Sequence, residues 1–266
     1  MNTTIARVLL VPFLIGTIGC QRGGEGSAES SSGETPPFVA AGESAPVASS
    51  SPATSPDDWR LAFVDVETTG LLPGWHEMID LGVVMTDLDG RPLDSLFVRI
   101  QPEHPERTSE GARAVNAFDA ARWRELGALS PAAAVDNLRR FHRSVAGEGP
   151  VLLVAFNSQF DTAFLDHLFR SDGGSWRELY HYLVLDIPSM AWALGLREVV
   201  GGDLPERLGV EDEPHVAEDH TGITGARLNA RLYRALLAPG RERPGADARR
   251  PGADSGPNTG RRPRGD

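Results

Sequence analysis

The stretch "LAFVDVE" (61–67) is an apolar run of the length and kind that predicts a buried strand. A second run inside "EMIDLGVVMTDLDG" predicts a strand from Met78 to Thr86 that turns at Asp89-Gly90. "RPLDSLFVRIQP" then alternates toward a third strand and stops at Pro102. Helical signals follow. Thr108-Ser109-Glu110 reads as a start, and Ser130-Pro131 as a cap with proline in the first helical position, opening "AAAVDNLRRFHRSV". "VLLVAF" (151–156) is again a buried strand, and "DTAFLDHLFR" after it has helical spacing. Asp186 is placed to cap a further helix, in which Trp192 reads as core. The last element, from Val216 to Leu237, sets Ile223, Leu228, Leu232 and Leu236 on one helical stripe. Three strands in a meander, then helices, one more strand and a closing helix predict an α/β domain with a mixed sheet.

The flanks have another character. Residues 21–57 are Ser, Gly, Ala, Pro and Glu with almost no aromatics, too few apolar groups to fold, and read as a linker. Residues 241–266 repeat Arg-Pro-Gly-Ala-Asp twice and read as a disordered tail. The folded part is therefore expected over 58–240. At the N-terminus, "MNTTIAR" precedes the apolar run "VLLVPFLIGTIG", whose 12 residues suit a signal peptide and are too few to span a bilayer. Thr17-Ile18-Gly19-Cys20 resembles a bacterial lipobox, with threonine where leucine is usual. On that reading, residues 1–20 form a lipoprotein-type signal, Cys20 is lipidated, and the protein sits on the membrane of the cell envelope. The competing reading is a cytoplasmic protein with a misassigned start. Cys20 is the sole cysteine, so no internal disulfide forms.

Net charge is −11, and all 26 basic residues are arginine. Residues 1–56 hold two arginines against four glutamates and residues 241–266 seven arginines against four acids, leaving −12 for the middle. So acidic a domain lacks the basic footprint that grips long duplex nucleic acid through its phosphates. Bound cations could still bring the end of a short strand to it.

The chemistry concentrates in Asp65-Val66-Glu67-Thr68-Thr69-Gly70. Positions i and i+2 of a strand share a face, so two carboxylates project together from an apolar strand. They repel and lose hydration unless a cation lies between them, and hard oxygen donors suit Mg²⁺ or Mn²⁺. The plainer alternative is a strand end where both acids reach solvent.

"FVDVETTGLLPGWHEMIDLGVV" resembles the first motif of the DEDDh 3′–5′ exonucleases, the proofreading-subunit and oligoribonuclease type, with Ile79 and Val83-Val84 filling the second strand. "LLVAFNSQFDTAFLDHLF" is similar to their second motif, and "TSEGARAVNAF" to the segment between. The resemblance covers 61–237 and implies an RNase H-like mixed sheet flanked by helices. It also implies two-metal hydrolysis of phosphodiesters, with Asp65 bridging two cations, Glu67 holding the one that activates water, and Asp161 the other. Thr68, Thr69 and Leu71 would contact the terminal nucleotide, while Asn157 and Phe160 would shape the turn presenting Asp161 or touch substrate. Histidine is the expected general base.

That family's third motif is H-x-A-x-x-D, which "HVAEDH" answers with His215 and Ala217 but with His220 in the fifth place and Asp219 one residue early. One residue turns a helix by about 100°. Three readings stay open: Asp219 serves from a distorted turn, His220 ligates a softer ion, or the site is weakened. Asp203, Glu206, Glu211, Asp212 and Glu213 read as solvated acids, and Glu218 as a charge behind the ligands. The remaining histidines read as surface or packing residues. The expected activity is a metal-dependent 3′–5′ exonuclease on single-stranded DNA, RNA or oligonucleotide 3′ ends. The alternative is a catalytically weakened or inactive nuclease-fold protein that binds nucleotides or partners at the cell envelope.

Overall fold

The computed structural model describes residues 51–200 and 203–238. Cys20, the apolar leader, most of the 21–57 linker and the 241–266 tail lie outside the described residues, among which no helix is long and apolar enough to cross a membrane. Strands β1 (Arg60–Thr68), β2 (Met78–Thr86) and β3 (Pro92–Arg99) form an antiparallel meander. Helices α1 (Glu110–Asn116), α2 (Ala120–Glu125) and α3 (Pro131–Ala146) follow. β4 (Val151–Ala155) then returns parallel to β1, α4 (Ser158–Ser171) leaves it, and β5 (Val184–Asp186) adds parallel to β4. Helices α5 (Ile187–Ala193), α6 (Asp203–Leu208) and α7 (Gly222–Leu237) close the chain, and the sheet order is β3-β2-β1-β4-β5. The mixed, helix-flanked sheet matches the fold expected from the sequence.

The two-residue period of β1 sorts its side chains onto two covered faces. Ala62, Val64 and Val66 pack with Leu138 and Phe141 of α3 and with Phe164 and Leu168 of α4. Leu61 and Phe63 pack with Ile187 of α5, Leu204 of α6 and Leu228 and Leu232 of α7. Asp65 and Glu67 continue this second series, so the pleat that buries Phe63 also aims both carboxylates at the start of α7.

Three expectations change. β5 was not foreseen: three half-buried residues carry too little periodicity to register. Trp192 is not core. Ile187 and Ala191 take the buried side of α5, leaving Trp192 54 % exposed with the Arg197 guanidinium 4.0 Å from its ring centroid. The last helix starts at Gly222 instead of Val216. Ahead of it the backbone makes a turn, with the N–H groups of Asp219 and His220 both donating to the Val216 carbonyl. The Asp186 cap is present: its Oδ2 accepts from the Ser189 N–H at 3.0 Å, while its Oδ1 takes the Ser158 N–H at 3.1 Å.

Candidate active site

β4 runs parallel to β1, so the helix leaving β4 begins beside the end of β1. The turn between them is tight, because β4 ends at Ala155 and α4 starts at Ser158. Asn157 takes the left-handed conformation there (φ 67°), which asparagine tolerates better than most residues. Phe160 packs its ring on Phe164 at 4.8 Å and anchors the first turn. Asp161, one residue on, is buried and only 2 % exposed.

Asp65 and Asp161 burden each other. Burial pushes the Asp65 carboxyl well above the usual carboxylate range, and the charges of Asp161, Glu67, Glu213 and Asp80 push it further. Asp161 is raised as well, by burial and by Glu67 and Asp186, against the lowering effect of hydrogen bonds from its own backbone and that of Val66. Carboxylates crowded so that they resist ionisation are uncommon where packing alone decides, and they cluster at functional sites. The donor chemistry suits a hard divalent cation, whose charge would relieve all three acids. Among the described residues, no three His, Cys, Asp or Glu already stand in ligand geometry, so the side chains must turn to hold one.

Glu67 is pinned from both sides. Its Oε2 accepts from Asn116 Nδ2 at 3.1 Å, and the same amide donates to the Thr68 carbonyl at 3.0 Å. Its Oε1 lies 3.1 Å from His220 Nε2. His220 Nδ1 is 3.2 Å from the Pro214 carbonyl and 3.7 Å from Glu213 Oε2. The bond to Glu67, with the charges of Glu67 and Glu213, lifts the imidazole to about 9 against its burial. Asn116 carried no sequence signal beyond its place in "VNAF", and only the return of α1 over β1 reveals its role.

The third motif is therefore placed differently from the expectation. His215 is 75 % exposed and pairs with Asp212 at 3.1 Å, not with the acids of β1. Asp219 and Glu218 are exposed on the same turn. Because the helix begins at Gly222, the histidine that meets Glu67 is His220, and five residues beyond it stands Gly225. A Cβ built on Gly225 would lie 2.3 Å from Asp65 Oδ2. The position facing Asp65 thus carries no side chain. One signal could have shown this, since the apolar stripe starts only at Ile223, just after His220-Thr221-Gly222.

The β1–β2 loop is closed on itself. The Thr68 hydroxyl donates to the Gly70 carbonyl at 2.7 Å, and the Thr69 hydroxyl accepts from the Glu77 N–H at 2.9 Å. Both hydroxyls are thus engaged in holding the loop. Leu71 is 78 % exposed, with Leu72 and Trp75 also exposed beside it, and the Arg107 guanidinium covers Trp75 at 4.4 Å. An apolar rim therefore stands directly after the acidic strand end.

No family model and no curated protein matches the chain. Solved structures do. The nuclease domain of 3′hExo, a DEDDh family member bound to rAMP, superposes with a TM-score of 0.55 at 14 % identity, over 67 % of this chain and 91 % of that one. E. coli exonuclease I in complex with a dT13 oligonucleotide superposes with a TM-score of 0.53 at 16 % identity, over 67 % of this chain and 40 % of that one. This chain has the fold of the DEDDh exonucleases. It spans about two-fifths of the exonuclease I chain but nearly all of the 3′hExo domain.

The charges also set a pH response. Asp80, fully buried across from Glu67, accepts the Gly222 N–H on Oδ1 at 2.8 Å and is pushed up to about 7, mainly by burial. For an acid raised in the folded state or a histidine raised by a partner, folding retains a proton that the unfolded chain releases. Stability then falls as pH rises through the folded value. His142 opposes this below about 6.5, being buried and pushed down to about 3. Above about 6.5 His142 no longer contributes, and His220 and the raised acids act in one direction. The melting temperature of the metal-free protein is expected to drop by several degrees from pH 6.5 to 9, and His220→Gln to flatten the slope. A level or rising profile in the parent would contradict these ionisations.

Proposed function

We propose that this protein is a divalent-metal-dependent 3′–5′ exonuclease acting on single-stranded DNA, RNA or short oligonucleotides. One observation carries the reading: three mutually repelling carboxylates, Asp65, Glu67 and Asp161, meet a histidine at the end of the central strand of this fold. Asp65, Glu67 and Asp161 would hold the metal, which would supply charge to the scissile phosphate and acidify an attacking water. Asn116 keeps Glu67 turned toward the cluster. His220 is the candidate general base. With Glu67 free to pair with it, the imidazole is protonated at neutral pH; with Glu67 engaged elsewhere, its affinity for the proton falls back toward the ordinary range, where a base is effective. The exposed Leu71–Trp75 rim offers an apolar surface to a terminal base. The acidic domain favours short or frayed ends over long duplex.

The test is a 3′-labelled oligonucleotide incubated with the full-length chain and Mg²⁺ or Mn²⁺. A ladder shortening from the 3′ end is expected. His220→Ala should slow it by about a hundredfold or more, the usual scale for a general base. His215→Ala should leave the rate within about twofold, since among the described residues its ring pairs with Asp212 and not with the acids of β1. Equal loss in both histidine variants, or no ladder in the parent, would overturn the reading.

A further inference from the structure

Glu213 is a further acid that the fold brings beside the β1 cluster. The sequence placed it in solvent. In the structure its side chain is 18 % exposed, on the loop between α6 and α7. Its Oε2 accepts the Thr224 hydroxyl at 3.3 Å and lies 3.7 Å from His220 Nδ1. The first distance is long for a hydroxyl donor and the second lies beyond a hydrogen bond. The carboxylate is thus largely withdrawn from water, with the His220 imidazole as a charged neighbour but with no close hydrogen bond to hold it in place. Burial raises its proton affinity, against the charge of His220 and with that of Glu67, and its own charge in turn raises the proton affinity of Asp65.

Its location answers the gap on α7. Thr224, which holds Glu213, is followed by Gly225, the residue that faces the Asp65 carboxylate with neither a donor nor room for one. The neighbouring acids are committed elsewhere: Glu211 is exposed, Asp212 pairs with His215, and Asp80 Oδ1 is tied to the Gly222 N–H. Asp80 Oδ2 is buried without a hydrogen-bond partner, a second acid on this face whose burial the charges of Arg99 and His220 offset only in part. We propose that Glu213 completes the acid set from the loop ahead of α7, turning away from Thr224 to hold a divalent cation together with Asp65. This rests on the metal-dependent reading above and assigns the site a ligand that its helix does not provide. Glutamate suits the task because its extra methylene gives a loop residue reach that aspartate lacks.

Mn²⁺ binding by the full-length chain tests this without an assay of activity. Free Mn²⁺ is followed by its electron paramagnetic resonance signal for the parent, Glu213→Gln, Glu211→Gln and Asp65→Asn. Glu213→Gln is expected to bind at least tenfold more weakly than the parent, with its metal-free melting temperature unchanged or raised, while Glu211→Gln binds like the parent. Should Glu213→Gln not fold, Glu213→Asp serves in its place: it keeps the charge, shortens the reach and is expected to bind at least tenfold more weakly than the parent. Undiminished affinity in the Glu213 variant, with binding lost in Asp65→Asn, overturns this inference and leaves the metal-dependent function standing. A parent that takes up no Mn²⁺ overturns both.

Discussion

Asp65→Asn is expected to abolish metal-dependent hydrolysis while making the protein more stable. The substitution keeps the shape of the side chain and removes the charge at the centre of the cluster. In the folded chain Asp65 suffers burial and the charges of four other acids. In the unfolded chain it suffers neither. Removing the charge relieves the folded state only, so at neutral pH without metal the melting temperature should rise. A gain of about 1–2 kcal/mol is the usual scale when a strained site is relaxed. The proposed loss of activity is on the order of a thousandfold or more, as for members of a catalytic unit. Calorimetry and the labelled-oligonucleotide assay on the same preparation check both halves. A variant both less stable and still active would show that Asp65 is an ordinary structural acid.

The second large effect is mechanical. Gly82→Ala is expected to destabilise the protein by about 3 kcal/mol, the upper end for overpacking a close contact. A Cβ at Gly82 would lie 2.2 Å from the Gly222 carbonyl atoms and 2.3 Å from the Ile223 nitrogen. These are backbone atoms, so no side chain can swing aside and the first turn of α7 must lift from the sheet. That turn follows His220 directly, and its Gly222 N–H bonds Asp80 Oδ1. For a domain of this size the melting temperature should fall by roughly 6–12 °C. Activity should fall further than stability explains, because His220 loses its 3.1 Å approach to Glu67. A Gly82→Ala chain that melts within a degree of the parent would mean that α7 does not sit this close to β2.

Much of this molecule is local in origin and therefore legible in the chain. The apolar run "LAFVDVE" predicts the central strand, and the two-residue period of any strand then puts Asp65 and Glu67 on a shared face. Ser130-Pro131 marks a helix start by capping chemistry alone: the Ser130 hydroxyl accepts the Ala133 N–H in the structure. Phe160-Asp161 lies one turn into its helix, where a short strand-to-helix connection puts it. Glu213 and Asn116 resisted such reading. One sits on an irregular loop and the other at the end of a short helix, and neither has a period to betray it. Their partners, His220 and Glu67, are 7 and 49 residues away in the chain.

The sequence by itself determined the mixed, helix-covered sheet, the pair of acids on its central strand and the acid one turn into the following helix. Spacing and burial pattern are set residue by residue, so these features need no knowledge of what packs against them. Only the tertiary structure decided which histidine meets the acids. Gly82, Gly222 and Gly225 let α7 press against the backbone of β1 and β2, and that contact fixes where the helix begins. It brings His220 to Glu67, leaves His215 and Asp219 on an outer turn, and seats a glycine opposite Asp65. The register of a helix against a sheet depends on close approach between segments more than a hundred residues apart, and no local pattern records it.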